Sequence, residues 1–476
     1  MNAPVPVPDA TRLAGATAAE IAAAVASGAV TARAVIEATL ARIAAVDPSI
    51  NAFTDVIAER ARARADRIDA ARAAGAPLGP LAGVPFAVKN LFDIAGLPTR
   101  AGSKINRERH PSTQDAFLVG QLEAAGAILV GGLNMGEYAY DFTGENVHDG
   151  ASLNPHDLTR MSGGSSGGSG AAVAAGMVAA SLGSDTNGSI RVPSSFCGLF
   201  GLKPTFGRLS RGGSFPFSAS LDHLGPMARS ALDLALTFDV LQGDDPDDAQ
   251  QVKRPVLDTS AELDKGIGNL RIAVAGGYFR ERGEPESFAA VDAIAAALGT
   301  TRTVEIPEAA RARGAAYLIT TAESSALHLS RIRTRAADYD PDVRDRMISG
   351  AFVPAAWVIQ AQRFRTWFRA AMRQVFEEVD IILAPATPFH ALKSGTKTVT
   401  LGGVTMPARP NIGIFTQPIS FIGLPVVAVP VWLPDADLPI GVQVIAPAWR
   451  EDLALRVARH LELAGAAKAP VARGLS

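Results

Sequence analysis

The chain has 476 residues, 48% of them hydrophobic, and its 45 basic and 47 acidic residues leave a net charge of -2. That balance supplies no whole-molecule field for nucleic acid or an anionic membrane surface, so a small, locally recognised ligand is expected. The single cysteine, Cys197, excludes an internal disulfide, and no Cys/His spacing builds a zinc site.

The opening "MNAPVPVPDATRLAG" lacks a basic segment followed by an apolar one, so no secretion leader is read and a cytoplasmic location is expected. Thr17 and Glu20 have the spacing of a capping box, and Gly28 suits the end of that helix. Thr31 opens a second helix, with Val35, Ile36, Leu40 and Ile43 on one face, that is predicted to end near Asp47-Pro48. An Ala- and Arg-rich third helix is predicted over 54–74, making residues 1–75 an N-terminal helical layer. From 81 the pattern becomes short apolar runs broken by glycine: "LAGVPFAV", the helix "DAFLVGQLEAAG", then "AILVGGLN". This alternation is an α/β signature.

A helix is predicted over 169–183, after a Gly/Ser loop. Further helices are expected at 286–298, 309–331, 355–379 and 451–464, and strands near 198–203, 271–275, 381–384, 426–431 and 440–446. The longest apolar stretch, "FTQPISFIGLPVVAVPVWLP", contains four prolines and cannot be a spanning helix. Length alone would allow about three domains. With no repeat and no low-complexity linker, a single large α/β domain over 1–476 is preferred, with a core at 80–230 and the remainder at 231–476.

Three stretches could carry chemistry. "MSGGSSGGSGAAVAAG" (161–176) is a Gly/Ser loop opening a helix, which offers free N–H groups to an anion or a developing oxyanion. It lacks the lysine of a phosphate loop but satisfies G-x-S-x-G through Gly163, Ser165 and Gly167, so a nucleophile elbow on Ser165 is one reading. That reading would make one of His223, His328 or His390 essential. In "GSDTNGSIRVP" (183–193), Asn187 and Gly188 tolerate left-handed backbone, and such a turn can gather N–H groups beside the Ser189 hydroxyl. A polar loop with capping hydroxyls is the alternative. In "PLAGVPFAVKNLFDIAG" (80–96), Lys89 follows an apolar run; a buried amine loses its proton more easily and becomes a base, unless Lys89 merely begins a solvated turn. Cys197, in "SSFCGLFGL", reads as a small buried hydrophobe or a reactive thiol.

Taken in order, Lys89, "GGSSGGS" and "GSDTNGSIR" resemble the amidase signature family. The resemblance extends over nearly the whole chain, through "GLNMGEYAYDFTGEN", "FCGLFGLKPTFGRLSRGG", "SLDHLGPMARS", "ILAPATP" and "LPIGVQVIAPAWREDLALRVA". It implies a central mixed sheet covered by helices on both faces, no metal and no organic cofactor. It also implies a Ser-Ser-Lys triad: Ser189 as nucleophile, Ser165 as a bridging serine after a cis peptide bond, and Lys89 as general base. The implied oxyanion hole is the backbone N–H groups of Thr186, Asn187, Gly188 and Ser189, with Ser166 and Asp185 in support. One departure stands out, because the family commonly has a glycine where this chain has Asn187.

Locally, "SDTNGSIRVP", "AVKNLFDIAGLPTRAGSKIN" and "KPTFGRLSRGGSFPF" are most similar to the branch that hydrolyses 1-carboxybiuret and related ureido acids. That likeness implies an amidohydrolase releasing ammonia from a small ureido or carboxylated amide. It also implies an oligomer with a small helical partner resembling the C subunit of the tRNA-dependent amidotransferase. The alternatives are the A subunit of a glutamyl-tRNA(Gln) or aspartyl-tRNA(Asn) amidotransferase acting as glutaminase, and a catalytically idle interaction subunit. A ureido-carboxylate needs a cation or N–H donors. Arg191 is the nearest arginine and is read either as that cation or as a structural ligand of its loop. Tyr138, Tyr317, Gly163 and Gly164 complete the candidates to meet substrate, the tyrosines with ordinary packing as the alternative. The segment 331–346 is read as a solvated or partner-docking face.

Overall fold

The computed structural model describes residue 13 and residues 15–475. Most of the N-terminal stretch expected to lack a leader therefore lies outside the described residues.

Capping chemistry sets the first helices. Thr17 and Glu20 form the reciprocal box over helix Ala18–Ser27, which ends on Gly28 at φ 76°. Helix Ala32–Ile50 is capped by Thr31 and runs through Pro48 before stopping at Asn51 in the left-handed region. At Pro48 the helix forgoes one backbone bond, to the Ala44 carbonyl, close to where it ends in any case.

The core is an eleven-stranded sheet. Its strands are β1 (Phe53–Val56), β2 (Pro85–Lys89), β3 (Ile128–Leu133), β6 (Ala180–Ser184), β7 (Phe200–Lys203), β8 (Leu224–Ala228), β9 (Ile272–Ala275), β10 (Thr303–Val304), β11 (Ile381–Pro385), β14 (Val426–Val431) and β15 (Ile440–Ile445). Two separate hairpins complete the strands, β4 (Leu153–Asn154) with β5 (Asp157–Met161) and β12 (Thr398–Leu401) with β13 (Val404–Pro407). The order across the large sheet is β1-β3-β2-β6-β8-β7-β14-β15-β11-β9-β10. Its pairings are mixed: β2 runs parallel to β3 and β6, whereas β6 and β7 are antiparallel to β8. Every residue of β2, β3, β6, β8, β14 and β15 is buried, the mark of a sheet covered on both faces. The flanking helices include Ala231–Leu241, Pro285–Ala297, Ala309–Arg335, Ala355–Glu378 and Glu451–Leu463.

Two predicted helices hide strands. The first residues of the helix expected at 54–74 are β1, and the helix itself is Ala58–Ala73. The helix expected at 169–183 is Gly167–Ala174, and its last residues are the central strand β6. Ala-rich sequence favours helix locally, but pairing of "ASLGS" with β2 and β8 overrides propensity. The apolar stretch 415–434 forms the short helix Gln417–Phe421 and then β14. Among the described residues no helix is long and apolar enough to cross a membrane.

Candidate active site

Parallel pairing carries β2 and β6 to the same edge, where their last residues, Lys89 and Ser184, meet. The C-terminal ends of parallel strands are the usual place for a site in α/β sheets. Lys89 is wholly buried, and its Nζ donates to Ser165 Oγ at 2.6 Å, Ser184 Oγ at 2.8 Å and Ser166 Oγ at 3.0 Å. Burial pushes its amine down to about 7, against the charges of Asp222, Asp185 and Asp141, which favour the ammonium. Ser165 follows a cis peptide bond from Gly164, in the loop that enters helix Gly167–Ala174. Ser184 is the partner that sequence reading missed, although it stands in the same "GSDTNGS" run as Ser189.

The turn 185–189 links β6 to the helix Arg191–Cys197. Of its two turn-forming residues only Gly188 has positive φ, at 144°, and a Cβ there would run into the Thr416 hydroxyl. Asn187, expected to share that conformation, does not. The N–H groups of Ile190 and Arg191 go to the Asp185 carboxylate, whereas those of Thr186, Asn187, Gly188 and Ser189 meet no protein acceptor among the described residues. Four successive unpaired N–H groups in so buried a turn stand out, since buried backbone donors are otherwise paired, and donors gathered in one turn are the chemistry an anion requires.

Ser189 is 3% exposed and lines a narrow pocket together with Thr186, Asn187, Tyr140, Phe142, Phe217, Tyr317, Thr320, Arg346 and Gln417. Tyr317, Arg346 and Pro410 are shared with a wider outer recess that also holds Arg409, Lys397, Glu145, Asp342 and Asp345.

Four residues expected to meet substrate are used otherwise. Arg191 is fully buried, and its guanidinium binds both Asp185 oxygens at 2.9 Å, Gln443 Oε1 at 2.7 Å, the Thr416 carbonyl at 3.1 Å and Ser420 Oγ. Burial alone would raise the Asp185 carboxyl, but Arg191, helped by Lys203 and His223, holds it well below the usual carboxylate range. The pair braces the turn, which is the structural alternative for Arg191. Tyr138 is 1% exposed, packs on His328, Phe215 and Tyr339, and donates its hydroxyl to Asn106, so it follows its packing alternative. The N–H groups of Gly163 and Gly164 go to the carbonyls of Thr143 and Phe142, fixing the loop instead of facing a ligand. Gly163, at φ 83°, leaves no room for a side chain against Pro193.

In their place the fold brings Tyr140 and Arg346. The Arg346 guanidinium lies 4.0 Å from the Tyr140 ring centroid and donates to main-chain carbonyls of Tyr140 and Asp342, and it pairs with no carboxylate among the described residues. Neighbouring Arg409, by contrast, faces Asp141, Asp340, Asp342 and Glu145. Arg346 belongs to the segment expected to be a solvated face, and it turns inward from helix Pro341–Gly350.

The chain matches the family model described as Amidase over residues 34–455. The chain belongs to the amidase family. It is 53% identical over 450 residues, 94% of this chain and 98% of that protein, to AtzE, a 1-carboxybiuret hydrolase subunit from Pseudomonas sp. (strain ADP). It is 40% identical over 458 residues, 90% of this chain and 92% of that protein, to the A subunit of the glutamyl-tRNA(Gln) amidotransferase from Roseiflexus sp. (strain RS-1). A solved structure described as a vestigial protein complex revealing the evolutionary origins of an s-triazine catabolic enzyme superposes with a TM-score of 0.94 at 52% identity, covering 95% of this chain and all of that one.

This amidase is thus an amidohydrolase. The elbow alternative finds no histidine for Ser165, whose hydroxyl is held by Lys89. His223 Nδ1 lies against the Asp185 carbonyl, His328 against the Tyr339 hydroxyl and His390 against the Pro439 carbonyl. Cys197 is wholly buried and burial pushes its thiol up, so it packs as a small hydrophobe.

Proposed function

We propose that this chain hydrolyses the terminal amide of a small ureido acid of the 1-carboxybiuret type, through an acyl-enzyme on Ser189. The observation that carries the reading is the buried Lys89 amine, lowered to about 7 and bonded to Ser165 at 2.6 Å, together with a pocket lined by Ser189 and an arginine that no carboxylate pairs. With Lys89 neutral, Ser165 passes a proton to Nζ while accepting the proton of Ser189. The Ser189 oxygen then attacks the amide carbonyl, and the N–H groups of residues 186–189 receive the oxyanion. As the C–N bond breaks, the proton returns through Ser165 to the leaving nitrogen, and ammonia departs. Water enters by the same proton path in reverse and frees the acid. Every step is proton transfer or acyl transfer, and no metal or organic cofactor has a part in it.

Arg346 supplies the cation for the substrate carboxylate, in the role first weighed for Arg191. The 53% identity to a 1-carboxybiuret hydrolase component supports the substrate class.

A glutaminase component is the second reading, favoured by the 40% identity to an amidotransferase. Glutamine carries an α-ammonium, and the pocket's one carboxylate, Asp141, is already bound by Thr143, Gly144 and Arg409. That favours a substrate with an anionic but no cationic end. A small helical partner belongs to the same proposal, supported by the description of the structural relative as a protein complex.

Ammonia release is measured on 1-carboxybiuret, biuret, allophanate, malonamate and glutamine, each beside Ser189→Ala. Release from 1-carboxybiuret that vanishes in Ser189→Ala is expected; release from glutamine alone overturns the ureido reading in favour of the second. Co-expression with a neighbouring small open reading frame, followed by size-exclusion chromatography, tests the partner.

A further inference from the structure

Several polar side chains around Ser189 are committed to protein partners. Thr186 Oγ1 donates to Asp222 at 2.6 Å, the Tyr140 hydroxyl meets Thr321 at 2.9 Å, and Gln417 Oε1 accepts from Arg313 at 2.8 Å. The Asp141 carboxylate is occupied as described above. Asn187 differs. Its Nδ2 donates to Thr320 Oγ1 at 3.0 Å, on helix Ala309–Arg335 across the pocket, which fixes the plane of its amide. Its Oδ1 is buried, in a residue only 7% exposed, and has no hydrogen-bond partner among the described residues. Leaving a buried carbonyl oxygen unpaired costs about 1–3 kcal/mol, so the site is incomplete until a donor arrives.

We propose that Asn187 Oδ1 accepts an N–H of the substrate beside the scissile carbonyl, and that this bond makes the pocket select ureido groups over their methylene counterparts. The inference rests on the hydrolase reading above. Its physical basis is that Asn187 contributes to both sides of one ligand group. Its backbone N–H belongs to the row proposed to receive the carbonyl oxygen, and the same residue lines the pocket and carries the unpaired Oδ1. A carbonyl flanked by N–H satisfies both; a carbonyl flanked by CH2 leaves Oδ1 unpaired. Sites that hydrogen-bond a polar substrate group reject the analogue lacking it far more strongly than apolar pockets discriminate by size. A glycine at this position could offer only the backbone donor, so the side chain adds a requirement.

The test compares kcat/KM for 1-carboxybiuret and for its analogue with CH2 in place of the N–H beside the scissile carbonyl, in the wild type, Asn187→Ala and Asn187→Gly. The wild-type preference for the N–H member is expected to fall at least ~10-fold in both variants, because the loss falls mainly on that member. Should a variant be too slow to assay, affinities for biuret and malonamide are measured in the Ser189→Ala background with and without Asn187→Ala. The preference for biuret is expected to disappear with Asn187. Equal losses for both members of each pair overturn the inference while leaving the hydrolase reading intact. Absence of Ser189-dependent ammonia from every ureido acid overturns that reading, and this inference with it.

Discussion

Lys89 and Lys203 each end a buried strand of the same sheet, each is 0% exposed, and burial lowers the pKa of both. Their partners separate them. Lys203 Nζ donates to the Pro204 carbonyl at 2.9 Å, with the charges of Arg191, Asp185 and Glu451 around it. Lys89 Nζ donates to three hydroxyls, two of them on the loop that enters helix Gly167–Ala174. A carbonyl can only accept; a hydroxyl both accepts and gives. Burial therefore favours the neutral form of either amine, and of the two only Lys89 has hydroxyl partners, which the proposed relay requires. The same contrast recurs between arginines: Arg191 is consumed by the protein, and Arg346 faces a pocket without a carboxylate partner.

The sharpest way to break this contrast is to remove each amine. Lys89→Met is expected to lower kcat by roughly 10³-fold or more while the protein still folds, since a general base supplies about 10²–10⁴ and the acyl step also depends on it. Lys203→Met is expected to change kcat by less than ~10-fold, because an amine bonded to a carbonyl relays nothing. Steady-state ammonia assays on both variants decide the point, and equal losses would dissolve the distinction.

Next in size is the arginine pair. Arg191→Ala leaves Asp185 charged and unpaired in the interior, for an expected loss of about 3–5 kcal/mol by urea denaturation. Arg346→Ala should instead leave stability within ~1 kcal/mol and lower kcat/KM by about 10–10²-fold, mostly through KM, the worth of a charge-assisted bond to a carboxylate. An Arg346→Ala enzyme with the wild-type KM would remove that residue from the substrate.

The most gradual effect is in pH, spread over several units. The folded Lys89 amine titrates near 7, whereas an unfolded lysine titrates near ~10.4. Between those values the unfolded chain binds a proton that the folded chain does not, so stability rises with pH across that window, by at most about 1.4 kcal/mol per pH unit for this group. Lys89→Met should flatten that slope in urea midpoints taken from pH 7 to 10. Activity should also fall below pH about 7 as the base becomes an ammonium; a wild-type rate that stays flat down to pH 5 would show that no neutral amine is needed.

Much of the fold was legible where local signals agree. The capping box at Thr17, the apolar strands 426–431 and 440–446, and the long helices at 309 and 355 stand within a few residues of expectation. The failures fall where local and long-range forces disagree. β6 reads as the tail of an Ala-rich helix, and only its neighbours β2 and β8 make it a strand. Within the site, the apolar run before Lys89 announced its burial, and the Gly/Ser loop announced a backbone built for close approach. Ser184 was passed over because nothing in sequence indicates that β6 runs beside β2.

Sequence by itself determined the chemistry available to this protein: a lysine closing an apolar strand, serines in glycine-rich turns, and family motifs that place them in one order along the chain. Such information is local, carried by residue type and spacing. Only the tertiary structure decided which groups are spent on the protein and which are left for a ligand. Arg191, two residues after Ser189, is drawn inward by Asp185, Gln443 and Ser420. Arg346, far along the chain on a segment that looks like solvated surface, reaches the pocket. The reason is that a polar group's availability depends on the partners packing brings to it, and those partners come from strands and helices whose adjacency no local pattern records.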